Sequence, residues 1–137
     1  MMTHEALAKL AVEARKTAYA PYSGFFVGAA LLAKNGTVYT GCNIENAAFT
    51  PTNCGERTAF FKAVSQGERA FSAIAIAGWK DGETPGFAYP CGVCRQVMME
   101  FCDPDDFTVI VTDGETLQAM SLAEVFPYGF GPGDLAP

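Results

Sequence analysis

Residues 54–101 read CGERTAFFKAVSQGERAFSAIAIAGWKDGETPGFAYPCGVCRQVMMEF, a pattern that predicts a helix, a buried strand and a second helix. The helical period of the first segment stops at Gly67. Residues 71–78 form a continuous apolar run, which suits a strand covered on both faces. A Gly- and Pro-rich loop over residues 79–89 follows, and Cys91 opens the second helix.

The N-terminal segment adds a helix and a hairpin. Thr3 is the predicted N-cap of a helix whose apolar stripe ends near Tyr19. Residues 25–33 and 38–41 predict two strands around Lys34-Asn35-Gly36, because Asn-Gly supplies the positive φ angles of a tight hairpin.

The C-terminal segment adds a strand and a short helix. Residues 107–112 read as a strand, and Ser121 with Glu124 predicts a capping box for a helix ended by Pro127. The order helix, hairpin, helix, strand, helix, strand predicts an α/β fold, a three-layer α/β/α sandwich with a mixed central sheet. We expect a single domain over residues 1–137.

Cys54, Cys91 and Cys94 form a candidate metal site. Cys91 and Cys94 lie three residues apart, so on a helix they share one face and can hold an ion at roughly 2.3 Å per Zn–S bond. The C-x-x-C pair also suits a redox centre that cycles through a disulfide. Cys42 as a fourth ligand would close a structural zinc site, whereas three thiolates leave one position for water, as in catalytic zinc sites.

Glu56 follows Cys54 by two residues, a spacing that does not place both on one face of a regular helix. First-turn side chains lean toward the helix N-terminus, however, so both can reach one cavity, where Glu56 would carry the proton of the metal's water. The alternative is an ordinary first-turn acid that stabilises the helix dipole. Arg57 or Arg95 can donate to the sulfurs and offset their charge, or lie on a solvated helix face.

Composition limits the partners. The net charge of -6 would repel a nucleic-acid polymer, so we expect a small, nearly neutral substrate. The five cysteines do not resemble a secreted disulfide framework, and no N-terminal apolar stretch resembles a signal peptide or membrane span, so we expect a cytoplasmic protein without a membrane partner. Hydrophobic residues make up 50% of the chain and charged residues 18%, which indicates either an oligomer interface or a large core.

Several motifs occur in order along nearly the whole chain. They are APYS at residues 20–23, Phe25 with VGAALL at 27–32, GCNIENAA at 41–48, CGERTA at 54–59 and PCGVCRQV at 90–97. Together they resemble the zinc-dependent cytidine deaminases, in their small homotetrameric branch.

The resemblance implies a cytidine-deaminase-like fold, a homotetramer and one Zn²⁺ per subunit. The implied reaction is the hydrolytic deamination of cytidine and 2′-deoxycytidine to uridine and 2′-deoxyuridine, with release of ammonia, in pyrimidine salvage. The implied metal ligands are Cys54, Cys91 and Cys94, with Glu56 as the catalytic residue and Arg57 beside the ligands.

The resemblance also implies a nucleoside-binding set. Its members are Phe25 near the pyrimidine, Asn43 and Glu45 on the sugar, the backbone of Gly55 on the base, and Phe130 from a neighbouring subunit. Taken alone, Asn43 and Glu45 could merely order their own loop, and the two aromatic residues could belong to the core.

Three features depart from the family pattern. Gly55 stands where Ala is usual, and Phe49 stands where Tyr is more familiar. The loop over residues 79–84 is longer than this branch leads us to expect, and the sequence assigns it no task.

Overall fold

The computed structural model describes residues 1–136. The α-helices are α1 (His4–Ala14), α2 (Gly55–Ser65), α3 (Gly92–Phe101) and α4 (Leu122–Val125). The strands are β1 (Phe25–Ala33), β2 (Val38–Cys42), β3 (Phe71–Lys80), β4 (Thr108–Thr112) and β5 (Leu117–Ser121). Short 3-10 helices span Arg15–Thr17 and Pro132–Asp134. No helix within residues 1–136 has the length and hydropathy that a membrane span requires.

The five strands form one mixed sheet in the order β2-β1-β3-β4-β5. β1 pairs antiparallel with both β2 and β3, and β4 pairs antiparallel with β5. β3 and β4 run parallel, which requires a crossover connection, and the segment that contains α3 supplies it. The predicted mixed sheet is confirmed.

Helices cover both faces of the sheet. α1 packs on one face against small and branched side chains, which include Ala30, Ala73, Ala75, Ala77 and Ile110. α2, α3 and α4 pack on the opposite face over a core that includes Leu31, Ile74, Ile76, Val109 and Val111. Successive strand residues point to opposite faces, so two covered faces explain why β3 is apolar at nearly every position. The three-layer α/β/α sandwich is confirmed.

The start of α2 lies directly against β2. A Cβ atom at Gly41 would come within 2.4 Å of the Ala59 nitrogen and 2.6 Å of the Gly55 carbonyl oxygen. Only glycine permits this approach of a strand backbone to a helix backbone. The contact fixes the N-terminus of α2, and with it Cys54, beside the end of β2.

Two N-terminal predictions need correction. α1 begins as expected, with Thr3 Oγ1 accepting from the Ala6 N–H at 3.0 Å, but its α-helical part ends at Ala14 and not near Tyr19. The chain must become extended there, because Tyr19 forms a parallel bridge with Ile44. In the hairpin, only Gly36 adopts a positive φ, at +92°, so the turn is a three-residue loop closed by Gly36.

Two further differences concern the strands β3 and β5. Trp79 and Lys80 continue β3 and pair with β1, whereas the sequence placed them in a loop. β5 is absent from the prediction because this edge strand is partly exposed and contains no β-branched residue. The capping box is confirmed: Ser121 Oγ accepts from the Glu124 N–H at 3.1 Å, and the Glu124 carboxylate accepts from the Ser121 N–H at 2.9 Å.

Candidate active site

Three thiols meet where α2 and α3 begin. Cys54 is the N-cap of α2 and Cys91 is the N-cap of α3. The Cys91 Sγ lies 3.7 Å from the Cys54 Sγ and 3.5 Å from the Cys94 Sγ. Sulfurs bound to one tetrahedral zinc ion at about 2.3 Å would be about 3.8 Å apart. The cluster therefore fits a zinc ion with little movement.

Cys42 is not a member of this cluster. Within residues 1–136, the group of potential ligands is limited to the three thiols, whose Sγ atoms lie within 4.8 Å of one another. The Cys42 Sγ instead accepts a hydrogen bond from the Thr17 hydroxyl at 3.6 Å. The interpretation as a closed four-cysteine site is therefore wrong.

The two arginines beside the ligands have different roles. Arg57 Nη2 donates to the Cys54 Sγ at 3.1 Å, as expected for a cation that offsets thiolate charge. A hydrogen bond from Cys94, with further contributions from Arg57, holds the pKa of Cys54 well below its ordinary value. Arg95 Nε donates to the Pro90 carbonyl at 2.8 Å, so Arg95 stabilises the entry to α3 and not a sulfur.

Glu56 reaches the same cavity as Cys54. The backbone of Cys54 is extended, with φ -73° and ψ 155°, so the two side chains are not constrained to diverge as on a regular helix. Glu56 is only 4% exposed, and burial raises the pKa of its carboxyl to about 7. The predicted meeting of thiol and carboxyl at the helix end is thus present in the structure.

The cavity in front of this cluster has a volume of about 270 Å³. Its walls contain Cys54, Cys91 and Glu56 together with Phe25, Asn43 and Glu45. Two residues of the predicted nucleoside-binding set, Gly55 and Phe130, do not line it. Gly55 is buried, and a Cβ atom added to it would lie 3.2 Å from Val27 Cγ1 of β1. Phe130 is 55% exposed, and its carbonyl accepts from Gln96 of α3 at 2.8 Å.

Asn43 and Glu45 are both held rigidly by main-chain groups. The Asn43 side chain accepts from the Val27 N–H at 2.9 Å and donates to the Phe25 carbonyl at 2.7 Å. Glu45 accepts from the N–H groups of Tyr22 and Ser23 at 2.9 and 3.1 Å and from the Ser23 hydroxyl. The Ser23 hydroxyl is the main reason that the pKa of Glu45 is lowered. Both residues therefore order their loop and also line the cavity.

Sequence reasoning gave no role to the other residues of the cavity wall. These are Ser23, Val27, Thr52, Asn53, Ile76, Ala88 and Tyr89. Val27 looks like any other apolar strand residue, and the position of Tyr89 depends on a distant contact, because its hydroxyl donates to Gln118 of β5 at 2.9 Å. Ser23 donates two hydrogen bonds to the Glu45 carboxylate. It belongs to the APYS motif, but the sequence assigned it no role.

Comparison with known proteins identifies the family. Residues 1–111 match the family model described as the cytidine and deoxycytidylate deaminase zinc-binding region. The chain belongs to this family. A cytidine deaminase from Sporosarcina psychrophila is 48% identical over 124 residues, which cover 90% of this chain and 88% of that protein.

Solved structures agree with this assignment. The crystal structure of a cytidine deaminase from Burkholderia pseudomallei matches with a TM-score of 0.86 and 45% identity, covering 94% of this chain and all of that one. A cytidine deaminase from Mycobacterium tuberculosis matches with a TM-score of 0.81 and 32% identity, over 96% of this chain and 99% of that one. The protein is therefore an enzyme of the deaminase family. Zinc is the ion that its three thiols fit.

Proposed function

We propose that this enzyme deaminates cytidine and 2′-deoxycytidine by hydrolysis, yielding uridine or 2′-deoxyuridine and ammonia. One observation carries the proposal: a buried carboxyl, Glu56, shares a single cavity with metal-binding thiols and with two polar residues suited to a sugar. The names of the similar proteins support the same reaction.

The reaction needs a nucleophile and a proton carrier. Zinc on Cys54, Cys91 and Cys94, when bound, supplies Lewis-acid activation of water near neutral pH. Glu56 takes one proton from the attacking water and delivers it to N3 of the pyrimidine, which makes C4 electrophilic, and the oxygen of that water bonds to C4. The same carboxyl then carries the second proton of that oxygen to the amino group, so that the C4–N bond breaks and ammonia leaves. A positioned carboxyl can act first as a base and then as an acid in this way.

Asn43 and Glu45 would recognise the sugar. The amide of Asn43 has one N–H left after its bond to the Phe25 carbonyl, and the Glu45 carboxylate has acceptor capacity beyond its three donors. Both groups are fixed before the substrate arrives, so little side-chain entropy is lost on binding. A nucleoside would therefore bind better than a free base.

The remaining contacts involve the base and a second subunit. We place Phe25, 37% exposed at the cavity wall, near the pyrimidine. Gly55 is buried and does not line the cavity, so the contact of its backbone with the base, which the family resemblance implies, has no support from the cavity wall. Phe130 would enter the cavity of a neighbouring subunit in a homotetramer. Its exposure and its absence from the wall of its own chain's cavity agree with this arrangement. Dilution to monomers, or a Phe130→Ala substitution, should then lower activity, and a fully active monomer would contradict this arrangement.

We further propose that residues 1–137 act as a single domain in the cytoplasm, in pyrimidine salvage, on a small nucleoside and without a nucleic-acid or membrane partner. The net charge of -6 supports the exclusion of nucleic-acid polymers.

Incubation of the purified zinc protein with cytidine, 2′-deoxycytidine, cytosine and CMP, with ammonia release as the readout, tests the function. We expect turnover of both nucleosides and little turnover of the free base, which lacks the sugar. Preferential turnover of CMP or cytosine would overturn the nucleoside assignment.

A further inference from the structure

Arg15, on the sheet face opposite the cavity, is bound by two strand carbonyls and by Asp81, the residue that follows β3. Its Nε donates to the Phe26 carbonyl at 2.8 Å, and its Nη2 donates to the Trp79 carbonyl at 2.7 Å and to the Asp81 carboxylate at 3.1 Å. The guanidinium carbon lies 3.9 Å from the centre of the Trp79 ring. The Arg15 side chain is only 10% exposed. We call these contacts of Arg15 the arginine clamp.

The clamp is possible because the end of α1 touches β1. A Cβ atom at Gly28 would lie 2.1 Å from the Ala11 carbonyl oxygen and 2.5 Å from the Arg15 nitrogen. The glycine thus lets the last turn of α1 rest on the strand backbone. From there the guanidinium can reach the paired residues Phe26 and Trp79 of β1 and β3.

The residues on either side of Phe26 hold the Asn43 side chain. Phe26 lies between the two backbone groups that bind the Asn43 amide, the Phe25 carbonyl and the Val27 N–H. An arginine that fixes the Phe26 carbonyl therefore fixes the strand segment to which Asn43 is attached.

The segment that follows Arg15 contacts both Asn43 and Glu45. The Tyr19 N–H donates to the Asn43 carbonyl at 2.9 Å, and the Tyr19 carbonyl accepts from the Glu45 N–H at 2.8 Å. Tyr22 and Ser23 then bind the Glu45 carboxylate. Only three residues separate Arg15 from Tyr19, so the clamp lies about one helical turn before this segment.

We infer that Arg15 is a positioning residue that sets the geometry of Asn43 and Glu45 for nucleoside binding, and that Trp79 and Asp81 belong to the device that holds it. The inference rests on the proposed function, and it gives the 79–84 segment a task. Arg15 touches no substrate and acts through the backbone at Phe26 and Tyr19. Asp81 is 75% exposed, so most of the hold comes from the two carbonyls and the indole ring.

Arg15→Met, with Lys16→Met as the matched control, tests the inference. Lys16 is the next residue and, among residues 1–136, pairs only with Glu13 on the surface, so its replacement should leave the kinetics unchanged. For Arg15→Met we expect KM for cytidine to rise by about tenfold with a smaller change in kcat, since displacement of binding groups by about 1 Å can cost up to about 10²-fold in rate. A wild-type KM in folded, zinc-loaded Arg15→Met protein would overturn the inference.

A double-mutant cycle with Glu45→Gln separates positioning from general stability. If Arg15 acts through the sugar pair, the two substitutions together should cost little more in kcat/KM than Glu45→Gln alone. Independent, multiplying losses would assign Arg15 a merely structural role. Should Arg15→Met not fold, Arg15→Lys, which keeps the charge but lacks the planar fork, enters the same cycle.

The outcome is distinguishable from failure of the proposed function. A wild-type enzyme that releases no ammonia from cytidine would refute the reaction itself. An active wild type with unaltered KM in the Arg15 variants would refute only the positioning role.

Discussion

Arg57 Nη2 lies 3.1 Å from the Cys54 Sγ, so a cation from the first turn of α2 is bonded to the thiol of the residue at the N-cap position of the same helix. Arg57→Gln should weaken zinc binding by about 10–100-fold, because partners of metal ligands tune ligand charge and orientation. Competition with a chromogenic chelator measures this affinity. Arg69→Gln is the control, since Arg69 donates to the Val64 carbonyl at the far end of α2. Equal affinities in the two variants would contradict the role of Arg57.

The donor set can be counted directly. X-ray absorption of the zinc protein should give three sulfurs and one lighter donor, and Cys42→Ala should leave this spectrum and the zinc content unchanged, because Cys42 bonds to Thr17 and not to the cluster. Cys91→Ser should lose one sulfur and much of the zinc. A fourth sulfur in the wild-type spectrum would argue against an open site.

Glu56→Gln separates proton transfer from metal binding. The amide is similar in size to the buried carboxyl but cannot carry the proton, so kcat should fall by about 10²–10⁴-fold. Zinc content and melting temperature should stay close to those of the wild type, as metal analysis and calorimetry would show. Turnover near the wild-type rate would remove Glu56 from the reaction.

Gly41→Ala tests the contact that fixes the start of α2. The added methyl group would meet backbone atoms of Ala59 and Gly55 at 2.4 and 2.6 Å, so β2 and α2 must separate. We expect a loss of about 1–3 kcal/mol in the free energy of unfolding, measured in denaturant, with weaker zinc binding. Gly86→Ala provides the control, because a Cβ there has no neighbour within 4 Å among the described residues. Equal stability of the two variants would show that the close approach is unimportant.

Local sequence signals were sufficient for the elements that carry the metal site. The capping positions of Cys54 and Cys91, the period of α2 and the apolar run of β3 depend only on near neighbours, and the structure has them as predicted. They led to the zinc cluster and to the layered α/β architecture. The sequence did not predict β5, because this exposed edge strand has no apolar pattern of its own and is defined by its pairing with β4.

The sequence by itself thus predicted the cysteine cluster, the carboxyl beside it and the order of the helices and strands other than β5, since caps and periodicity are properties of short segments. Only the tertiary structure decided that Cys42 lies outside the cluster, that Arg95 holds a carbonyl and that Arg15 binds Trp79 of β3. The Cys42–Thr17 and Arg15–Trp79 contacts join residues far apart in the chain. They depend on strand register and on close backbone approaches at Gly28 and Gly41, which no local pattern specifies.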